Sequence, residues 1–396
     1  MHSFSSIRLN IGKLYVLRAL AFAWFPIPTI ILFYQSHGLN LEQAVLLKTI
    51  LSLSILLLEV PSGYVADRLG RRFCLVGGSL AWIVGWLCYC FGHSFRAFAV
   101  AEILSGVAGS LISGADTAIA YETLLQLRQE SSYRVFEGRL VAIAGVSEAV
   151  CGLIGAAIAQ INLVYPFYLQ TVCLVVYFAI AITLVEPKLQ INPHKTESTL
   201  TIKAIVSEVL FKRPRLLWLM LFGSIFSIAS FLIVWLSQGY FKQIDLPIAA
   251  MGWTWAIFHL LMSWASISAE KLAVILGLKK ALLSLVILLG ACYIFLGSIS
   301  HLGGIALIAV IYMIRGVRSP LFLNLINQQI PSDIRATVLS LNSFTFHLGF
   351  TLLAPLVGAI TSAYSLSVAL FAAGWFFLII GIWCWWRLFD YEYADY

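Results

Sequence analysis

Charged residues are scarce in this sequence. Asp, Glu, Lys and Arg make up 11% of its 396 residues, whereas 61% are hydrophobic. Soluble domains usually have about 25% charged residues, so this chain lacks the charged surface that such a domain needs. Its charges fall in short clusters between apolar stretches of about 20 residues, a length that lets a helix cross the hydrocarbon core of a bilayer. The composition therefore excludes a soluble globular domain and predicts a membrane protein with many spans.

Cysteine chemistry and enzyme motifs are also missing. The seven cysteines form no CxxC pair, and most lie within apolar stretches, where they behave as small hydrophobic side chains. The sequence has no HExxH, no GxSxG, no metal-spaced His/Cys cluster and no Gly-rich nucleotide loop. We therefore expect no disulfide framework, no metal and no cofactor. The first residues run into an apolar stretch without a small-residue cleavage site, so we also expect no cleaved signal peptide.

The apolar stretches predict twelve transmembrane helices, six on each side of a polar break in the middle of the chain. Their approximate bounds are 12–35, 42–66, 73–92, 97–126, 138–160, 164–186, 215–240, 248–270, 280–299, 302–326, 335–361 and 365–388. We therefore expect an all-α membrane protein with two pseudo-symmetric six-helix bundles, residues 1–186 and 215–396, joined by a linker at 187–214.

Positive charge orients these predicted spans. Nineteen of the 25 Lys and Arg residues fall on the side that holds both termini, and only two fall on the opposite side. An excess of Lys and Arg marks cytoplasmic segments, so both termini are expected in the cytoplasm. The net charge of +7 reflects this bias rather than a nucleic-acid surface, and we expect no nucleic-acid partner.

The linker contains an amphipathic stretch. In TIKAIVSEVLFK, residues 201–212, the apolar side chains share one helical face, and Lys203, Ser207, Glu208 and Lys212 share the other. This pattern is typical of a helix that lies on a membrane surface. A cytoplasmic extension of the seventh span is the alternative.

The two halves of the sequence are related by an internal repeat. A shift of about 202 residues aligns Arg134 with Arg335 and Gly114 with Gly316, and a slightly larger shift aligns the segments around Asp67 and Glu270. Even numbers of spans in parallel half-repeats are typical of transporters.

A charged loop between the second and third predicted spans carries a specific motif. The stretch GYVADRLGRR resembles the cytoplasmic loop motif of the major facilitator superfamily, G-x-x-x-D-R-x-G-R-R. The matching residues are Gly63, Asp67, Arg68, Gly70, Arg71 and Arg72. The resemblance implies the transporter fold of that family. The phrases LEVPSG and GADTAIAYETL are similar to a broad, poorly defined set of its bacterial members.

The sequence departs from the drug-exporting members of that family at two points. Where those members carry an arginine in the fourth helix, this chain has Glu102. Its fifth helix has Gly152 and Gly155 but lacks the proline that completes their signature.

The residues of the loop motif favour a conformational switch. Gly63 would let its helix approach a neighbour closely, and Gly70 would allow a tight turn. Asp67 would accept hydrogen bonds at a helix N-terminus. Arg71 and Arg72 would contact anionic headgroups or the other half of the protein. If these contacts form in only one state, the loop acts as a latch; topological anchoring alone is the alternative.

Ionisable residues within the predicted spans are functional candidates because a charge in a bilayer is costly. The proton-coupling candidates are Glu148, Asp116, Glu102 and Glu59, and the substrate-cavity candidates are Arg18, Arg315, Arg318, His259 and His347. Glu148 is the first choice because it lies roughly 16 Å into its span, where a carboxyl group favours its protonated form and exchanges protons near neutral pH. Arg18 is expected to pair with Glu59 or Asp116, and the two histidines also suit ordinary packing.

These features together predict a secondary transporter that moves a small organic solute by alternating access. We expect proton-coupled export because the acidic candidates lie in the N-terminal half; proton-coupled import by symport is the alternative. A non-transporting receptor and a membrane-embedded enzyme are two further alternatives. Arg315 and Arg318 in a cavity would favour an anionic or zwitterionic solute. The expected partners are the solute, protons and the lipid bilayer, for a monomer in a cell membrane, with the bacterial inner membrane as the expected location.

Overall fold

The computed structural model describes residues 4–129, 132–187, 213–330 and 335–390. Within these ranges all regular secondary structure is helical. The amphipathic stretch predicted at 201–212 and most of the predicted linker lie outside the described residues.

The helices follow the predicted spans closely. In the first half they are α1 Phe4–Ala21, α2 Ile30–Ser36, α3 Leu41–Leu69, α4 Arg71–Phe91, α5 Phe95–Gln126, α6 Tyr133–Ala159 and α7 Tyr165–Ile182. In the second half they are α8 Pro214–Gln243, α9 Ile248–Leu276, α10 Leu278–Ser298, α11 Gly303–Gln329, α12 Arg335–Ala363 and α13 Leu366–Asp390. Eleven of these described helices are long and apolar enough to cross a membrane. The prediction of an all-α membrane protein is confirmed.

The first predicted span differs from a continuous helix. α1 ends at Ala21, a short 3₁₀ turn covers Ile27–Thr29, and α2 begins at Ile30. Pro26 and Pro28 explain the break, because proline lacks the backbone N–H donor and disfavours helical backbone at the residue before it. Within this break, the N–H of Phe25 donates to the carbonyl oxygen of Ala23 at 2.9 Å and to the side-chain oxygen of Gln170 in α7 at 3.3 Å.

Gly155 in α6 fits closely against this break. A Cβ at that position would lie 1.9 Å from the carbonyl oxygen of Phe25, so only glycine is tolerated there. The fifth-helix glycine that the sequence retains therefore has a packing role in this chain.

The repeat is visible in the helix lengths and turns. α3 and α9 each have 29 residues, and α4 and α10 each have 21. In both halves a single glycine joins the two helices, Gly70 at φ 96° and Gly277 at φ 75°. Positive φ is strained for residues with a Cβ, so both turns need glycine.

The chain divides into two compact units. The first comprises Met1–Leu39, Leu47–Pro193 and Pro247–Ala256. The second comprises Asn40–Leu46, His194–Leu246 and Ile257–Tyr396. Each unit has an aromatic core, which includes Phe33, Tyr34 and Phe167 in the first unit and Phe226 and Tyr293 in the second. Many large apolar side chains on outer faces are exposed, as expected where helices contact lipid.

Candidate functional site

An ion pair joins α1 to α5 within the first unit. Arg18 Nη2 lies 3.1 Å from Asp116 Oδ2, and both side chains are mostly buried, with 16% and 21% of their surface exposed. The Arg18 guanidinium also lies over the ring of Phe22. Of the two partners that the sequence left open for Arg18, the structure brings Asp116 into contact.

A small cavity adjoins this pair. It is lined by Leu14, Leu17, Arg18, Ala21, Leu75, Asp116, Leu140 and Tyr177. The volume open to the centre of a water-sized sphere is about 10 Å³, which is roughly the room that one water molecule needs. A single water molecule would therefore fit beside the Asp116 carboxylate.

A second ion pair in the first unit is almost fully buried. Lys48 of α3 and Glu102 of α5 are 3% and 2% exposed, and the ammonium group donates directly to Glu102 Oε1. Tyr34 OH donates to the same oxygen at 2.8 Å and accepts from Lys48 Nζ at 3.1 Å. Tyr89 OH lies 3.0 Å from Tyr34 OH. Charge-assisted hydrogen bonds of this kind are about twice as strong as neutral ones, so this network holds α3 firmly against α5.

Sequence analysis placed Glu102 among the candidates but missed Lys48 as its partner. A signal was available: Lys48 lies seven residues after the start of α3, and Glu102 seven residues after the start of α5. Both helices begin on the side opposite the motif loop, so each residue lies about 10 Å along its helix from the same side.

Glu59 and Glu148 lie half-buried in α3 and α6. The backbone oxygen of Glu148 accepts a hydrogen bond from the indole N–H of Trp255 at 3.1 Å. In the same region, a Cβ on Gly152 would lie 2.4 Å from the Trp255 ring. The helical turn that carries Glu148 is thus closely packed against the first turns of α9.

In the second unit, Arg318 of α11 is bound to α8. Its Nη1 donates to the carbonyl oxygen of Gly223 at 3.0 Å and to Ser227 Oγ. Arg315 lies one turn earlier on the same helix and is half-buried. His259 is buried with its ring 5.6 Å from that of Tyr312, and His347 is buried beside Phe346.

The loop motif at the α3–α4 turn contacts two acidic residues of the first unit. The backbone N–H groups of Arg71 and Arg72 donate to the carboxylate of Glu186 at 2.6 and 2.7 Å. Arg71 Nε lies 3.5 Å from Glu122 Oε1. Glu186 thus occupies the N-terminus of α4, where the helix dipole favours negative charge.

These contacts correct one expectation about the motif, that for Gly63, and leave the one for Asp67 untested. The N-terminus of α4 is capped by Glu186, a residue that sequence analysis did not single out, whereas the side chain of Asp67 lies outside the described part of the chain. Gly63 does not mark a close helix contact, because a Cβ there would meet nothing within 4 Å among the described residues. Arg68 stacks over the ring of Tyr64.

Comparison with known sequences identifies relatives across most of the chain. The sequence profile of the Major Facilitator Superfamily matches residues 15–319. YxaM of Bacillus subtilis (strain 168), an uncharacterized MFS-type transporter, is 24% identical over 377 residues, and the match covers 92% of each protein.

Solved structures share the fold. The crystal structure of the nucleoside transporter NupG matches with a TM-score of 0.72 at 13% identity, over 98% of this chain and 99% of that one. The D-xylose-proton symporter matches with a TM-score of 0.73 at 12% identity, over 95% and 97% of the two chains. Because the family profile covers most of the sequence and the fold agrees, this multi-pass membrane protein belongs to the Major Facilitator Superfamily of transporters.

Proposed function

We propose that the protein is a proton-coupled secondary transporter that moves a small organic solute across a bacterial inner membrane by alternating access, with export as its direction. Family membership makes it a transporter. The coupling ion, the direction of transport and the kind of solute are what we propose beyond family membership.

The observation that carries proton coupling is the Arg18–Asp116 pair beside a water-sized cavity. Protonation of Asp116 would remove the charge that holds Arg18, and the contact between α1 and α5 would weaken. Loss of the proton would restore it. A proton drives a conformational change only if it binds one state more tightly than the other, and a salt bridge present in one state supplies that difference.

Glu148 is the second carboxylate that we propose to exchange protons, because it lies deep within a membrane-spanning helix. It lies near the middle of α6, where a carboxylate is costly and proton exchange with either side is geometrically feasible. Glu102 is a weaker candidate, because Lys48 and Tyr34 already donate hydrogen bonds to its carboxylate in an almost fully buried network.

Export is proposed because these acidic groups all lie in the first unit, so a proton and a solute need not bind together. Import by symport is the second candidate. Arg315 and Arg318 favour it, because an anionic solute that moves together with a proton carries no net charge across the membrane.

Proton movement in reconstituted vesicles tests the proposal. Vesicles loaded with the pH-sensitive dye pyranine are mixed with anionic, zwitterionic and cationic solutes that first prove to stabilise the purified protein. Vesicles without protein correct for passive entry of weak acids and bases. Solute entry that makes the lumen alkaline supports antiport, and solute entry that makes it acidic supports symport. Solute entry without any proton movement would contradict coupling.

A further inference from the structure

The two units differ in how their intramembrane cations are neutralised. In the first unit, Arg18 contacts Asp116 and Lys48 contacts Glu102. In the second unit, helices α8, α10, α11 and α12 contain no Asp or Glu at all, and the acidic residues of α9 and α13 are Glu270 and Asp390, both toward the helix ends. Within the described ranges, no carboxylate contacts Arg315 or Arg318.

The guanidinium of Arg318 is only partly satisfied. Nη1 donates to Gly223 and Ser227, and Ser227 Oγ donates in turn to the Gly223 carbonyl at 3.1 Å. The Nε atom is buried, and among the described residues it has no hydrogen-bond partner. A buried donor that lacks an acceptor is costly, and for a charged group the cost is larger. Nη1 is thus fixed, whereas Nε is buried without an acceptor among the described residues.

The internal repeat shows the same difference in charge at one pair of equivalent positions. The register that aligns Gly114 with Gly316 also aligns Asp116 with Arg318, so the two units place opposite charges at equivalent points. Within the described residues, the second unit therefore has a cation at this point without the counter-ion that the first unit provides.

We propose that Arg315 and Arg318 form an anion subsite that binds the carboxylate or phosphate group of the transported solute. The two arginines are three residues apart on α11 and so share a helical face. Ser227 orients Arg318, and the buried rings of Phe222, Phe226 and Phe322 form an apolar cluster around Gly223, between α8 and α11. The subsite rests on one part of the proposed function, the transport of a small organic solute, and applies to either direction of transport, since it assigns a substrate class to the transporter.

The physical basis is electrostatic. An anion supplies the counter-charge and the acceptor that Arg318 lacks, and hydrogen bonds between charged groups are about twice as strong as neutral ones. Low dielectric around the apolar cluster reduces screening of that attraction. A neutral solute of the same shape would leave the arginine unsatisfied, and a cationic one would be repelled.

Thermal unfolding of the purified protein in detergent tests the subsite without any transport. The probes are benzoate, benzamide and benzylamine, which share a ring and differ in charge, together with inorganic phosphate, all at equal ionic strength. We expect benzoate or phosphate to raise the Tm and benzamide and benzylamine to leave it unchanged. A shift with benzoate alone assigns the subsite to carboxylates, and a shift with phosphate alone assigns it to phosphates.

Variants locate the binding. Arg318→Gln should weaken the apparent Kd of the stabilising anion by about tenfold or more, as expected for a lost charged hydrogen bond. Arg315→Gln should weaken it less. Arg96→Gln removes the same charge at an exposed position of the first unit and should retain the full shift. If Arg318→Gln does not fold, Arg318→Lys takes its place, because lysine cannot reproduce the planar fork of donors.

The subsite is overturned if neither anion raises the Tm, if benzylamine or benzamide stabilises as well as benzoate, or if the α11 variants retain the full shift. Failure of the proposed function looks different: the anion would bind in an Arg318-dependent manner, yet vesicles would show no solute movement.

Discussion

At the scale of single residues, the intramembrane charges differ in what neutralises them. Lys48 and Glu102 neutralise each other in a buried network with Tyr34 and Tyr89. Arg18 and Asp116 do so beside a cavity with room for about one water molecule. The first pair is therefore suited to holding α3 against α5, and the second to a change of state.

Removing Lys48 tests the structural role of the buried pair. Lys48→Met should lower the free energy of unfolding by about 3–5 kcal/mol, because it leaves the Glu102 carboxylate buried without its counter-charge. The double variant Lys48→Met/Glu102→Gln should recover part of that loss. Thermal unfolding in detergent measures both effects, and Lys280→Met, at an exposed position, serves as the control. Equal Tm values for Lys48→Met and Lys280→Met would show that the pair contributes little.

At the scale of helices and turns, the α3–α4 connection combines a backbone conformation that needs glycine with a carboxylate clamp, the Glu186 side chain bound to the N–H groups of Arg71 and Arg72. Gly70 adopts φ 96° and ψ 159°, and the following two N–H groups are held by Glu186 from the end of α7. The clamp ties the motif loop to the sixth predicted span. If it opens in another state, the loop acts as the latch that the sequence suggested.

Two glycine substitutions separate the stability cost of the backbone conformation from the cost of disturbing the Glu186 contact. Gly70→Ala and Gly277→Ala should each cost about 1–3 kcal/mol, because both turns use backbone that is accessible mainly to glycine. Gly70→Ala should cost more, since its Cβ would lie 3.0 Å from the Glu186 carboxylate, whereas a Cβ at Gly277 would meet no atom of the described residues within 4 Å. Unfolding temperatures of the two variants provide the comparison, and a larger loss for Gly277→Ala would argue against the clamp.

Sequence analysis succeeded where a local pattern sets the structure. Apolar length located the helices, and the motif located the turn at Gly70. The break between α1 and α2 was missed although Pro26 and Pro28 signal it, because apolar length alone ignores proline. The Lys48–Glu102 and Arg71–Glu122 contacts depend on which helices are neighbours and how each is rotated about its axis. A single sequence gives the depth of a residue along its helix, as for Lys48 and Glu102, but neither of these two quantities.

At the scale of the whole molecule, two bundles of similar architecture have different electrostatic character. α3 and α9 match in length, as do α4 and α10, yet Asp116 in the first unit aligns with Arg318 in the second. This difference in charge is consistent with separate functions for the two units: the first would exchange protons, and the second would bind an anionic group.

The orientation of the chain is a separate prediction. The bias of Lys and Arg places both termini and the segment between the halves in the cytoplasm. In a variant without the native cysteines, a single cysteine introduced at Thr199 should react with a membrane-permeant maleimide in intact cells but not with an impermeant one. A cysteine introduced at Ser94, on the opposite side, is the matched control and should react with both. Labelling of Thr199→Cys from outside would reverse the orientation.

Solute accumulation after an imposed pH step tests the central claim, proton-coupled transport, most directly. Vesicles containing the wild-type protein should concentrate a solute that binds it, and the accumulation should vanish when the pH gradient is dissipated. Glu148→Gln should abolish accumulation while solute binding stays measurable, because glutamine keeps the shape but exchanges no proton. Asp116→Asn is the parallel test of the paired carboxylate. If both variants still concentrate solute in response to the pH step, neither carboxylate couples transport to protons, and the account is contradicted.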